Sequence, residues 1–228
     1  MEKVAFIINP FSAKKNYQPF LTALEKKAEN PLYYISDSIE GTFDFIHENF
    51  DKIDIFVAVG GDGTISTVAQ KLINTEKILA IFPAGSGNGF SNETNFNKNL
   101  DQLLDKIKDK KSRQIDTFLV NDKLSINVSG TGFDGKVVKE FEKTERGFKN
   151  YIKVSIQTFF NYKPIKVKFI TENYEQYNGK YLMLNIANTR QFGNNAYIAP
   201  KASKSDGLVD LVLVKKFPPT FSPFLAVP

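Results

Sequence analysis

"VAVGGDGTISTV" (57–68) runs an apolar strand into a helix through Gly60-Gly61-Asp62-Gly63-Thr64. The run before it, "DIFVAV", is apolar on both faces, as a strand covered on both sides must be. The run after it puts Ile65, Val68, Ala69 and Leu72 at helical spacing. Three glycines around one carboxylate are poor material for holding a fold. They let the main chain take positive φ and approach a ligand closely, so that N–H groups point at phosphate. The following helix N-terminus adds partial positive charge on the same side. Asp62 is odd company for a phosphate unless it holds a cation or accepts a proton.

The alternation continues outward from this stretch. "VAFIIN" (4–9), "PLYYIS" (31–36) and "ILAIFPAG" (78–85) read as further buried strands. Helical patterns separate them, one carrying Phe20, Leu21, Leu24 and Ala28 and another running from Thr42 to Phe50. Strands alternating with helices imply a parallel sheet with helices on both faces. After the helix in "LDQLLDKIKDKKS" (100–112) the character changes. "RQIDTFLVN" and "KLSINVSGTG" read as strands of a hairpin turning at Asn121-Asp122. "IKVKFIT", "GKYLMLNIANT" and "LVDLVLVKK" follow as strands, with one helix between them over about Lys149 to Phe160. The boundary is placed near Arg113: an α/β domain over 1–113 and a β-rich domain over 114–228.

With 228 residues, 42% apolar and 24% charged, the chain can bury a real core. No apolar run approaches the roughly 20 residues of a membrane span, and the start does not read as a signal peptide. Without cysteine there is no disulfide framework or thiolate metal site, which fits a reducing cytoplasm. The single histidine, His47, lies in an amphipathic helix and reads as surface or packing, so histidine catalysis drops out. A net charge of +5 raises the odds of anionic partners, although a solvated lysine surface also explains it.

A second glycine turn, Pro83-Ala84-Gly85-Ser86-Gly87-Asn88-Gly89, follows the next strand, with Ser86 and Asn88 suited to phosphate or ribose. With Asn9-Pro10-Phe11-Ser12 after the first strand, three loops at strand ends make a rim of polyphosphate size. Neither G-x-x-x-x-G-K-[ST] nor a G-x-G-x-x-G after the first strand is present, which removes the P-loop and the usual dinucleotide fingerprint.

"NPFS" (9–12), "GGDGT" (60–64), "PAGSGN" (83–88), "NVSGTGFDG" (127–135) and "ASKSDGLVDLVLV" (202–214) occur in this order. In these motifs the chain resembles the diacylglycerol kinase catalytic-domain family, which includes bacterial lipid kinases and sphingosine kinases. The resemblance implies an α/β nucleotide domain of NAD kinase and phosphofructokinase type, followed by a β-sandwich domain that takes the lipid. It implies transfer of the γ-phosphate of ATP, with Mg²⁺, to the hydroxyl of a lipid such as diacylglycerol or a sphingoid base. By the same resemblance Gly60, Gly61, Asp62, Gly63, Thr64, Gly85, Ser86, Asn88, Asn9 and Thr42 would contact the nucleotide. Asp62 would bind the magnesium network or act as base. Lys14 would steady the transferred group, or be merely solvated. Asp206, with main-chain oxygens around Ser203 and Leu208, would hold a structural Mg²⁺; an Asp-Gly turn is the other reading.

Three departures stand out. Ala13 replaces a common glycine. Gly89 replaces an aspartate of many bacterial diacylglycerol kinases. "FPPTFSPFLAVP" (217–228) ends the sequence before the Asp-Gly-Glu segment to which members assign the base. The expectation is a β half incomplete at its C-terminus: either the sequence is truncated or Asp62 serves alone, and uncovered sheet edges would favour a homodimer. The lysines and aromatics of 136–166 suit an anionic bilayer, making the chain cytoplasmic and peripheral at the inner membrane face; helix packing with a solvated basic face explains them as well. Other functional readings stay open: a kinase of a soluble acceptor, NAD kinase-like, or a nucleotide-binding chain without activity. No nucleic-acid reader motif is present.

Overall fold

A computed structural model describes residues 3–12, 15–144 and 148–218. The chain forms two compact units, Met1–Asn127 with Gln191–Asn194, and Val128–Arg190 with Asn195–Pro228.

The first unit is built on four parallel strands, β1 (Val4–Ile8), β2 (Leu32–Ile35), β3 (Ile55–Gly60) and β4 (Ile78–Pro83), in the order β2-β1-β3-β4. Its helices are α1 (Gln18–Lys27), α2 (Ile39–Asn49), α3 (Asp62–Leu72), α4 (Gly89–Glu93) and α5 (Leu100–Asp109). Successive strand residues feed opposite cores. Val4, Phe6, Ile8, Val57 and Val59 pack with Leu24 of α1 and Leu103 of α5. Ala5, Ile7, Phe56 and Ala58 pack with Ile46 of α2 and with Ile65 and Val68 of α3. Each fully buried Ile, Val or Phe stabilises by about 1.5–3 kcal/mol, so the strands hold the unit together and the loops at their ends are released from that task. Pro83, with no N–H to donate, closes the edge strand β4, where its loss to the ladder is tolerated.

This order contains a topological switch. From β1 the chain passes to β2 on one side, then returns to β3 on the other, and α1 and α3 cover opposite faces. Beyond the carboxyl ends of β1 and β3 the flanking loops diverge, which is where such sheets hold ligands.

A hairpin of β5 (Phe118–Val120) and β6 (Lys123–Ser125) turns at Asn121 and Asp122, with φ of 48° and 62°. Positive φ at both central residues is what a type I′ hairpin turn requires. Composition changes near Arg113, but the contacts divide after Asn127, because Leu124 and Ile126 pack into the core beneath α3.

The second unit comprises β7 (Val128–Gly132), α6 (Phe133–Phe141), α7 (Phe148–Asn161), β8 (Ile165–Val167), β9 (Gly179–Tyr181), β10 (Met183–Ala187) and β11 (Asp210–Val214). β11, β10 and β7 form an antiparallel sheet, and β8 pairs with β9. Phe133 and Val137 of α6 pack with Val154 and Phe159 of α7 and with Leu182. α6 was not expected from the sequence: its Gly-rich opening reads as loop, whereas Phe133, Val137 and Phe141 follow at four-residue spacing. Two runs expected as single strands are each divided. "KLSINVSGTG" gives β6 and β7, and "GKYLMLNIANT" gives β9 and β10. No helix among the described residues is long and apolar enough to cross a membrane.

Candidate active site

Three loops meet at the carboxyl edge of the first unit's sheet, and side chains tie them together. Asn9, after β1, donates from Nδ2 to Thr64 Oγ1 across the switch point at 2.9 Å. Its Oδ1 accepts the N–H of Phe11 at 2.9 Å, which folds the first loop back on itself. Gly60 makes room for this join: a Cβ there would stand 2.3 Å from Thr64 Oγ1.

Asp62 joins the second loop to the third. Its Oδ2 accepts from the N–H of Gly89 at 3.1 Å and its Oδ1 from the N–H of Phe90 at 2.9 Å. Both donors belong to the first turn of α4, whose N–H groups have no partner within the helix. Asp62 thus caps α4 from another loop, occupying two of the roughly four acceptor sites of a carboxylate.

Asn88 buckles the third loop. Its Oδ1 accepts from Gly85 N at 2.9 Å while its Nδ2 donates to Gly85 O at 2.8 Å. Asn88 itself has a φ of 51°, the left-handed region that asparagine tolerates. The glycines serve close approach and not the positive φ expected of them. Among the described glycines only Gly132, Gly193 and Gly207 have positive φ. A Cβ on Gly85 would lie 2.5 Å from Gly61 Cα, so these two glycines let the second and third loops touch.

A fourth piece was invisible in the sequence. Gln191–Asn194 returns to the first unit and braces the third loop. Gln191 Nε2 donates to the buried Glu93 at 2.8 Å, Asn194 N donates to Gly87 O at 3.2 Å, and Gly193 bridges Asn88. A Cβ on Gly89 would lie 2.6 Å from Phe192 O. The Gly-Asn-Asn run after a strand was the available signal, but it reads as an ordinary turn.

What the rim leaves unused faces outward. Gly63 is exposed in the first turn of α3, and nothing lies within 4 Å of where its Cβ would be. No hydrogen bond among the described residues takes up the N–H of Gly63 or Thr64; the α3 ladder starts with Ile65 N donating to Gly61 O at 3.1 Å. Ser86 is exposed, and its hydroxyl makes no hydrogen bond among the described residues. Open backbone donors at the start of an eleven-residue helix, beside a free hydroxyl, fit the oxygens of a nucleotide phosphate.

Other expected residues are placed differently. Thr42 does not start its helix, because Ser38 caps α2 by accepting from Gly41 N. Thr42 is 1% exposed, and its hydroxyl bonds Ser36 Oγ at 2.8 Å and Ser38 O at 2.9 Å, fixing the β2–α2 connection. Lys14 lies outside the described residues. Asp206, in the second unit, accepts from Leu208 N at 3.1 Å, and Gly207 has a φ of 74°. That is an Asp-Gly turn. No three His, Cys, Asp or Glu gather among the described residues, so a cation at Ser203–Leu208 would take main-chain oxygens beside Asp206, a hard donor set that suits Mg²⁺.

The second unit also holds a half-buried carboxylate. Asp134, in the first turn of α6, accepts from Gly135 N at 2.8 Å. With its amide turned to donate, the fully buried Asn185 reaches Asp134 Oδ2 at 2.7 Å. Gly130 is required beside them, since a Cβ there would overlap the side-chain amide of Asn185 at 1.8 Å. Burial pushes the Asp134 carboxyl above its ordinary value. Burial, with the Asp134 charge as a smaller cause, also raises the phenol of Tyr162.

Comparison with known proteins gives the family and the fold. Residues 3–120 match the diacylglycerol kinase catalytic domain, and residues 127–220 match the YegS C-terminal NAD kinase beta sandwich-like domain. A Pseudomonas aeruginosa protein named "Probable lipid kinase YegS-like" is 32% identical over 163 residues, which are 69% of this chain and 53% of that protein. A Mycobacterium tuberculosis diacylglycerol kinase is 28% identical over 170 residues, 71% of this chain and 55% of that enzyme. The chain thus spans about half the length of these relatives. The crystal structure of a diacylglycerol kinase from Bacillus anthracis str. Sterne superimposes with a TM-score of 0.72 at 21% identity, covering 100% of this chain and 78% of that one, and shares the fold. With residues 3–120, just over half of the chain, matched to it, the chain belongs to the diacylglycerol kinase catalytic-domain family.

Proposed function

We propose that this chain binds Mg-ATP at the three-loop rim and transfers the γ-phosphate to the hydroxyl of a membrane lipid, diacylglycerol or a sphingoid base. The observation that carries the reading is the clamp at Asp62, which draws the loops of β3 and β4 together while the N–H groups of Gly63 and Thr64 stay available. ATP supplies the phosphoryl group, and Mg²⁺ supplies charge neutralisation. Phosphoryl transfer is otherwise a matter of positioning and electrostatics, for which fixed backbone donors suffice. Gly63 and Thr64 would hold phosphate oxygens by N–H, and the Ser86 hydroxyl would hold another.

Asp62 has acceptor sites left after the clamp, so it can also take a hydroxyl proton or face a cation. Asn9 acts by holding Thr64, and Asn88 by holding Gly85. The Thr42 hydroxyl shapes the β2–α2 connection. The acceptor being a lipid, the chain would work from the cytoplasm at the inner membrane face.

The test is transfer of labelled γ-phosphate from Mg-ATP to a mixed lipid extract dispersed in non-ionic detergent, with products identified by mass spectrometry. A phosphorylated lipid is expected. Label appearing only on a soluble dinucleotide, or on no acceptor while ATP binds, would overturn the reading.

A further inference from the structure

We infer that the β8–β9 hairpin of the second unit is a docking element for an anionic lipid surface. The inference rests on the lipid-kinase reading, because a bilayer-borne acceptor must be collected from the membrane. It begins from an arrangement unfavourable to the fold itself. Lys166 and Lys180 are directly opposite in the antiparallel register, so their side chains share one face of a two-stranded ribbon, and both are exposed. Like charges directly opposite destabilise a strand pair, and a lone two-stranded ribbon has little stability to spare.

The same exposed row continues beyond the strand. Exposure alternates along it, with Lys166, Lys168 and Ile170 out and Val167 and Phe169 half-buried. Ile170 is 90% exposed, the greatest exposure of any large apolar side chain among the described residues. The loop that presents it is held in shape. Phe169 N donates to Asn178 Oδ1 at 2.6 Å, and the Tyr181 hydroxyl donates to Tyr177 O at 2.7 Å. Phe169, Tyr174 and Tyr177 form a ring cluster with centroids 6.1 to 6.3 Å apart.

An apolar tip, two half-exposed tyrosines beside it and lysines behind it match the layering of a membrane surface. Tyrosine favours the headgroup level and lysine meets lipid phosphate. Lys163, Lys166, Lys168 and Lys180 outnumber Glu172 and Glu175 in this stretch, so its charge complements an anionic surface. A single-stranded nucleic acid fits less well. The rings are already engaged with one another, and an isolated isoleucine offers bases no stacking face.

The experiment is sedimentation of the chain with vesicles of equal parts phosphatidylglycerol and phosphatidylcholine, against phosphatidylcholine alone. Wild type should bind the anionic vesicles only. The triple variant Lys166→Gln, Lys168→Gln, Lys180→Gln should bind more weakly by about fivefold per lysine, on the order of a hundredfold in all. Ile170→Ser should lose about tenfold, a loss that lower salt does not restore. Lys166→Gln alone should melt at or above the wild-type temperature; a fall would contradict the opposed-lysine premise. Triple-variant binding equal to wild type would overturn the inference, as would wild-type preference for a nucleic acid over the vesicles. Transfer to a detergent-dispersed acceptor separates the two claims. The triple variant should retain it, whereas its absence in wild type strikes the kinase reading and leaves the vesicle result standing.

Discussion

Asp62→Asn separates a clamp from a purely chemical group. Asparagine has the size of aspartate and keeps one acceptor, but it puts an NH2 where the second oxygen stood. One of the N–H groups of Gly89 and Phe90 then faces a donor, and both residues are buried. A hydrogen bond to a charged acceptor contributes about 1.5–3 kcal/mol, and leaving a buried N–H unmet costs about 1–3 kcal/mol. These figures overlap, so the variant should lose about 3 kcal/mol. For a cooperative unit of 150–250 residues that lowers Tm by about 6–12 °C. Urea unfolding should show a lower midpoint at unchanged slope, the sign of lost stability without a change in compactness. Nucleotide affinity should fall with it, because the second and third loops lose their tie. A variant that melts with wild type and lacks only phosphoryl transfer would refute the clamp and restore Asp62 as chemistry alone.

Two glycine substitutions should part company. Gly63→Ala meets nothing within 4 Å and should leave stability unchanged or raised by up to ~1 kcal/mol, while nucleotide affinity falls about tenfold. Gly85→Ala, whose Cβ would stand 2.5 Å from Gly61 Cα, should lose about 1–3 kcal/mol of stability as well, read by thermal melting and nucleotide titration. Burial raises the folded carboxyl of Asp134 above its ordinary 3.8, so below that value the charge costs nothing. As pH rises from 3.8 toward the raised value, the unfolded chain gives up its proton first and the fold loses stability. Stability of wild type relative to Asp134→Asn should therefore fall across that window in urea titrations, and a difference flat in pH would contradict it. If Asp206 holds Mg²⁺, a concentration 100 times its Kd should stabilise wild type by about 2.7 kcal/mol and leave Asp206→Ala unmoved; equal responses would remove the site.

The α/β half was legible because β1 and β3 are apolar on both faces and β3 ends in glycine. Val4–Ile8 and Ile55–Gly60 are buried at every residue, a pattern that only a covered parallel strand needs. The hairpin at Asn121-Asp122 was legible for a similar reason, since that pair tolerates the positive φ its turn demands. The site was harder to read. Glycine spacing marked the loops, but not that Gly60 makes room for Thr64, that Gly85 makes room for Gly61, or that Asp62 caps α4. Those roles depend on contacts between residues far apart in the chain, which no local pattern encodes. Phe192 and Gly193 brace a loop about a hundred residues earlier, and Asn185 meets Asp134 only because β10 pairs with β7. Thr42 was misplaced by one turn because Ser38 competes for the cap.

The most direct test of the account is a map of backbone amide shifts as Mg-ATP is titrated into the isotope-labelled chain. The rim predicts large, saturable changes at the open amides of Gly63 and Thr64 and in the Gly85–Asn88 loop, with the β8–β9 hairpin unmoved. Saturable changes centred elsewhere, with Gly63 and Thr64 silent, would mean that the loops tied by Asn9, Asp62 and Asn88 are not where this chain holds its nucleotide.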